Sequence, residues 1–335
     1  MADRHQLEEA VIIDSKRTVR IAAVQIESLN GRVLENLAHA LPFVEEAARR
    51  GAELIVLPEF MPTGYIFTKA IWDAGESKYG QTVLWLSKHS KRLGAYLGTS
   101  FLEADGEDFF NTFALFDPRG NEAGRVRKQT PAALEAFFTK GEPGPHVINT
   151  DFGTVGVGIC YENMLSYLPP LMNLQSVDIL LMPHSAPYSM KNFLTPQKAV
   201  EAFIANLKGL ALYYTKLLGV PVLMVNKSGK WESPLPGISF LKLVSAFPGL
   251  SSIADSDGTL KAQLGTKEGI IVEDVMLDPS RKTNAVPACR GRWTVDFPWG
   301  IRIWRLSETV GRVWYRLSSE RKRRARDISS RHESA

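Results

Sequence analysis

Four positions carry the chemistry that this sequence offers. Cys160 sits in GVGICYEN (156–163), Glu59 in LPEF (57–60), and Lys128 with Glu135 in RVRKQTPAALE (125–135). A thiol attacks a carbonyl or nitrile carbon when a base takes its proton and a cation or N–H holds the negative charge that develops. Glu59 follows a five-residue apolar run, where a carboxylate is costly unless paired or functional. Lys128 ends another expected strand, and Glu135 comes seven residues later across a proline-bearing loop. The same residues also describe a packed core cysteine, since free cysteine is among the most buried residue types, beside a structural Glu59–Lys128 ion pair. On position alone that reading is the commoner one.

The elements that must position these groups alternate. RIAAVQIE (20–27) reads as a strand, 36–51 as a helix that contains Pro42, ELIVLPEF (53–60) as a buried strand and 81–93 as a helix. Two strands joined by DPRG follow. The order then recurs: a strand through VGVGIC, a helix near 164–174, the strand VDILLMP (177–183), a helix over 197–218 and the strand PVLMVN. DSDG (255–258) turns into a late hairpin that ends in EGIIVEDVML. Two similar halves predict a layered α/β body, with Cys160 on a strand-to-helix elbow where backbone N–H groups face an oxyanion.

Composition sets the class. The 335 residues are 44% hydrophobic, enough for one large core, and no apolar run approaches the length of a membrane span. The start MADRHQLEEA lacks a signal-peptide core, so a soluble cytoplasmic enzyme is expected. Two cysteines and six scattered histidines predict neither a disulfide framework nor a metal site, and no cofactor is expected; no Gly-rich loop of dinucleotide or P-loop type follows an early strand. The formal charge of +4 is lopsided. From Arg290 onward 12 basic residues accompany 5 acidic ones, whereas residues 1–289 carry 28 and 31. A nucleic-acid partner is not expected from a surplus confined to the tail.

LPEF, RKQTPAALE and GICYEN, in that order, resemble the Glu, Lys and Cys signatures of the nitrilase superfamily, the carbon–nitrogen hydrolases, and FPGLSSIADSDGTL with EGIIVEDV resembles that family's late hairpin. The resemblance implies a four-layer α-β-β-α sandwich over 19–288, between an N-terminal extension (1–18) and a basic, Trp-rich C-terminal extension (289–335). It implies Glu59 as general base, Lys128 as oxyanion stabiliser, Cys160 as nucleophile and Glu135 as the second glutamate beside the lysine. Tyr65, Tyr161, His184, Ser185 and Ala186 are the implied substrate-binding positions, with a Tyr161 N–H at the oxyanion. Tyr161 stands where true nitrilases usually carry tryptophan, which tilts the substrate toward a small amide, hydrolysed through a thioester with release of ammonia or an amine. CYEN does not match the aspartate-bearing patterns of many amidases either. A nitrile substrate, a Cys160–His184 thiol hydrolase and a catalytically silent scaffold are the alternatives.

The tail concentrates four of the seven tryptophans, Trp293, Trp299, Trp304 and Trp314. A helix over 303–317 would gather Ile303, Leu306, Val310, Val313, Trp314 and Leu317 on one face and Arg305, Glu308, Arg312 and Arg316 on the other. Docking in a homo-oligomer is the expected use, because binding an anionic membrane surface would leave Trp304 and Trp314 exposed in the free protein. RKRRAR (321–326) reads as a solvated, partly disordered end.

Overall fold

The computed structural model describes residues 15–188, 197–285, 287–289, 291–294 and 301–332, so residues 1–14 of the expected N-terminal extension and Trp299 lie outside the described residues. The first half runs β1 (Arg17–Gln25), α1 (Val33–Arg49), β2 (Leu54–Val56), α2 (Gln81–Leu93), β3 (Tyr96–Asp105), β4 (Asp108–Phe116) and β5 (Glu122–Arg127). The second runs β6 (Val147–Thr150), β7 (Gly153–Val157), α3 (Leu168–Leu174), β8 (Ile179–Pro183), α4 (Gln197–Leu218) and β9 (Val222–Val225). A hairpin of β10 (Ser228–Leu235) and β11 (Ile238–Pro248) follows, then β12 (Ser252–Ala254), β13 (Leu260–Gln263), β14 (Gly269–Leu277), α5 (Ile301–Leu317) and α6 (Ser319–Ser329).

Two six-stranded sheets result, ordered β14-β1-β2-β3-β4-β5 and β13-β12-β9-β8-β7-β6. In each, three parallel strands lie side by side: β1, β2 and β3 in one, β7, β8 and β9 in the other. β2, β7, β8 and β9 are buried along their whole length, as parallel strands covered on both faces must be. Leu37, Ala40, Val44 and Ala47 of α1, spaced three and four residues apart, join Val83 and Leu86 of α2 over the outer face of the first sheet. α3 and α4 cover the second with Leu168, Met172, Leu207, Leu210 and Tyr214. The inner faces meet through Ile21, Leu54, Val56 and Phe113 against Val155, Val157, Leu181 and Val225. The architecture is the α-β-β-α sandwich. No helix among the described residues is long and apolar enough to cross a membrane.

Several expectations shift. Pro42 does lie inside α1, but on its exposed side, as does Ala38, whose carbonyl a proline cannot bond. The helix expected near 164–174 divides into a 3-10 turn at Cys160–Met164 and α3, because Pro169 and Pro170 fit only a first helical turn. The β10–β11 hairpin went unread. Pro234 and Pro236 argue against a strand in sequence, yet Pro236-Gly237 forms the two-residue turn, with Gly237 at φ +76°. RKRRAR is not a disordered end: it lies within α6, where Arg321 pairs with Asp108, Arg324 with Asp73 and Arg326 with Glu107. The faces of α5 are also redrawn. Glu308, Gly311 and Tyr315 are buried and Trp304 and Trp314 half-buried, whereas Leu306, Val310, Val313 and Leu317 are exposed together with Arg305, Arg312 and Arg316.

Candidate active site

Most of the chemically interesting side chains lie just past the carboxyl end of a strand, where layered α/β folds place their sites, while Glu135 sits in the 3-10 turn Ala133–Phe137. Glu59 follows β2, Lys128 follows β5, Cys160 follows β7, His184 and Ser185 follow β8, and Lys227 follows β9. Cys160 opens a 3-10 turn with φ +53°, a left-handed conformation that a non-glycine residue holds only under constraint. Asn163 supplies part of that constraint, its Nδ2 donating to the carbonyls of Gly158 (2.7 Å) and Cys160 (3.1 Å). Glu162 supplies more. Its carboxylate accepts from the N–H of Ile159 (3.1 Å) and Gln129 (2.8 Å) and from Tyr167 Oη (2.7 Å), and lies 3.2 Å from His146 Nε2. One buried carboxylate thus ties the cysteine turn to the residue after Lys128. Burial pushes Glu162 up, but His146 and Tyr167 outweigh it and hold the carboxyl below its ordinary range.

Lys128 is fully buried between two glutamates, its Nζ 2.7 Å from Glu59 Oε1 and 2.7 Å from Glu135 Oε2. Asn111 bridges the same pair: Nδ2 donates to Glu59 Oε1 (2.7 Å) and Glu135 Oε1 (3.0 Å), while Oδ1 accepts from Ser100 Oγ (2.9 Å). The other Glu59 oxygen accepts from Ser185 N–H at 2.8 Å, and that N–H also favours the Cys160 thiolate. Burial raises Glu59, but the charge and hydrogen bond of Lys128 and a hydrogen bond with Cys160 bring it below the usual carboxylate value. Burial and the charge of Glu59 push the Cys160 thiol well up, Lys128 opposing. Burial and Glu59 likewise raise Glu135 despite Lys128. Lys128 itself is lowered by burial but raised further by the two glutamates, so it stays an ammonium. The resting arrangement is a thiol beside a carboxylate beside an ammonium.

Glu59, Lys128, Glu135 and Cys160 therefore come together. The five implied substrate-binding residues do not all join them. Ser185 holds Glu59, through its N–H and through Oγ to the Glu59 carbonyl (2.5 Å), and Ala186 donates its N–H to Asn226 Oδ1 (3.0 Å). Tyr65 is buried in an aromatic cluster with Phe67, Trp231 and Phe247, close enough to Glu135, Glu59 and Cys160 for their charges to raise its phenol after burial. The Tyr161 side chain turns instead to the tail, its Oη accepting from Trp293 Nε1 at 3.0 Å and its ring packing 5.4 Å from that of Trp304. His184 is fully buried with Nε2 3.0 Å from Asn163 Nδ2, and burial lowers it to about 4, so it is neutral at pH 7. Its partner among the described residues is Asn163, not the thiol.

Asn111 and Lys227 are the additions that the structure makes. Lys227 is fully buried with Nζ 2.8 Å from the Phe60 carbonyl; burial lowers it to about 7 even though Glu59 and Cys160 oppose the shift. Asn111 lies beside Thr112 in FNTFALF, a mostly apolar stretch of β4.

The sequence model for carbon–nitrogen hydrolases matches residues 20–285. A nitrilase of Pyrococcus abyssi is 30% identical over 192 residues, covering 55% of this chain and 71% of the relative, and an N-carbamoylputrescine amidase of Arabidopsis thaliana is 30% identical over 178 residues, covering 50% and 59%. A carbon–nitrogen hydrolase from Helicobacter pylori superposes with a TM-score of 0.69 at 20% identity, over 79% of this chain and 91% of the other, a likeness of fold alone.

Proposed function

This chain belongs to the carbon–nitrogen hydrolase family, whose members hydrolyse carbon–nitrogen bonds other than peptide bonds, and from that premise we propose that it cleaves a small non-peptide amide through a thioester on Cys160. What carries the reading is the buried group of Glu59, Lys128 and Glu135 around the thiol, with Glu59 ionised and Cys160 protonated at rest. Glu59 takes the thiol proton as Sγ attacks the carbonyl carbon. Two of the three Lys128 N–H donors serve the glutamates, and the third stabilises the oxyanion. The tetrahedral intermediate collapses as the Glu59 carboxylic acid gives its proton to the departing nitrogen. Water, deprotonated by Glu59, then attacks the thioester, and the acid leaves as Sγ recovers its proton. Glu135 and Asn111 orient the lysine and the base.

The amide preference rests on Tyr161 in place of tryptophan; a nitrile is the second reading, favoured by the Pyrococcus relative. Ammonia release should be followed over matched amides, carbamoyl compounds and nitriles. Cys160→Ala should be inactive yet folded, and Lys128→Ala and Glu59→Gln should lose on the order of a hundredfold or more in rate. A wild-type rate in Lys128→Ala with a dead His184→Ala would overturn the triad in favour of a Cys–His enzyme. Faster turnover of the nitrile than of the matching amide would overturn the amide assignment.

A further inference from the structure

The outer face of α5 is an apolar stripe that the other described residues leave open: Leu306, Val310, Val313 and Leu317, one helical turn apart in succession, are 64%, 48%, 51% and 79% exposed. Arg305, Arg312 and Arg316 flank the stripe and are exposed too. The single acid of α5, Glu308, is buried on the inner side with Arg292 2.9 Å away. Among the described side chains of the helix, the exposed ones are leucine, valine, threonine and arginine. We propose that this face of α5 docks on an anionic lipid surface, its aliphatic stripe entering the headgroup layer and its arginines meeting lipid phosphates.

Two observations favour lipid over a second copy of the chain. A symmetric pair of such helices sets arginines against arginines with no exposed acid on α5 to answer them, whereas an anionic surface answers all three. The stripe exposes on the order of 400 Å² of aliphatic surface, large enough to mark an interaction site but about half of what each partner of a stable dimer buries. The aggregation hazard of lipid-facing tryptophans does not arise, because both turn inward: Trp314 stacks 6.1 Å from Trp72, and Trp304 lies on Tyr161. The inference is independent of the substrate.

The test is flotation of the full-length protein with vesicles of phosphatidylcholine alone and with 30% phosphatidylglycerol, read beside its mass by sedimentation velocity. Wild type should float with the anionic vesicles only, and higher salt should release it. Arg305→Gln/Arg312→Gln/Arg316→Gln should weaken binding by on the order of a hundredfold, and Val310→Asp/Val313→Asp should abolish it, with melting temperature and turnover of a soluble amide unchanged in both. Wild type that stays unbound, or charge variants that float as well as wild type, would refute the proposal. So would a dimer that the Val310→Asp/Val313→Asp variant dissociates, which would assign the face to a second copy.

Discussion

Phe60 stands at φ +47° directly after Glu59, a left-handed backbone that costs an aromatic residue on the order of 1–2 kcal/mol. Its N–H donates to Ser100 Oγ at 2.8 Å and its carbonyl accepts from Lys227 Nζ, so the peptide that aims the base is gripped at both ends. Lys227 performs this in a site that lowers its pKa to about 7 through burial. A lysine in the unfolded chain titrates near 10.4. Between pH 7 and 10 the unfolded chain therefore binds more protons than the folded one, and stability contributed at this position rises with pH across that window. Below pH 7 the buried charge is a full burden. Lys227→Met deletes the titration from both states, so its melting temperature should compare most favourably with wild type near pH 6 and fall progressively behind as pH rises to 10. A gap between the two that ignores pH would show that Lys227 is charged in the fold. Turnover should also drop in the variant, since methionine cannot hold the Phe60 carbonyl.

The short turns that carry the glutamates and the cysteine are positioned by elements distant in sequence, and α5 is the instructive case. Gly311 crosses the 3-10 turn at Ala133–Phe137 that holds Glu135, and a Cβ there would meet Phe137 Cδ2 at 2.7 Å and the Ala136 carbonyl carbon at 3.0 Å. Gly311→Ala must displace the Phe137 ring and crowd the backbone at Ala136, and is expected to cost about 1–3 kcal/mol and to lower turnover by moving Glu135. Gly209, exposed in α4 with nothing within 4 Å of such a Cβ, is the control: Gly209→Ala should gain about 0.5–1 kcal/mol and leave turnover alone. Thermal unfolding and steady-state rates on the pair decide it; equal effects at both sites would mean that the helix crossing is slack. The strands and helices of the two halves were legible because their apolar periods are local. The crossing of α5 over residues 133–137 was not, since nothing near Gly311 names its neighbour. Glu59, Lys128, Glu135 and Cys160 stood out in sequence through the resemblance of their motifs to a family, since residue type and spacing alone favoured a packed thiol beside a structural ion pair. Asn111 was hidden because β4 is buried on both faces, so a polar residue in it carries no sign of which way it points. Lys227, at the end of MVNK, looked like an ordinary loop charge.

At the scale of the whole chain, the split between an acidic body and a basic tail finds its explanation in docking. The arginines of α6 answer acids of the body, Asp73, Glu107 and Asp108, and Lys69 of the body answers Glu320 of the tail. Apolar contact accompanies the charge: Ala325 and Ile328 join the cluster of Trp72, Phe109 and Phe138, and Trp314 packs beside them. Tyr315 Oη accepts the Phe109 N–H at 2.8 Å, and Arg321, buried to 4% exposure, bonds the carbonyls of Tyr315 and Glu107. The tail is thus a packed part of the domain, with its outer stripe still open. Deleting residues 300–335 would uncover Trp72, Phe137 and Phe138, orphan the Phe109 N–H and release the turn that carries Glu135. Burial of three such side chains is worth on the order of 5 kcal/mol or more, which corresponds to a fall in melting temperature of about 10 °C or more. The truncated protein should therefore melt early, bind a hydrophobic dye and lose turnover, even where it assembles into the same number of copies as the full chain. Melting and turnover equal to wild type, with only the number of copies per assembly reduced, would mean instead that the tail serves assembly and contributes nothing to the fold it lies on.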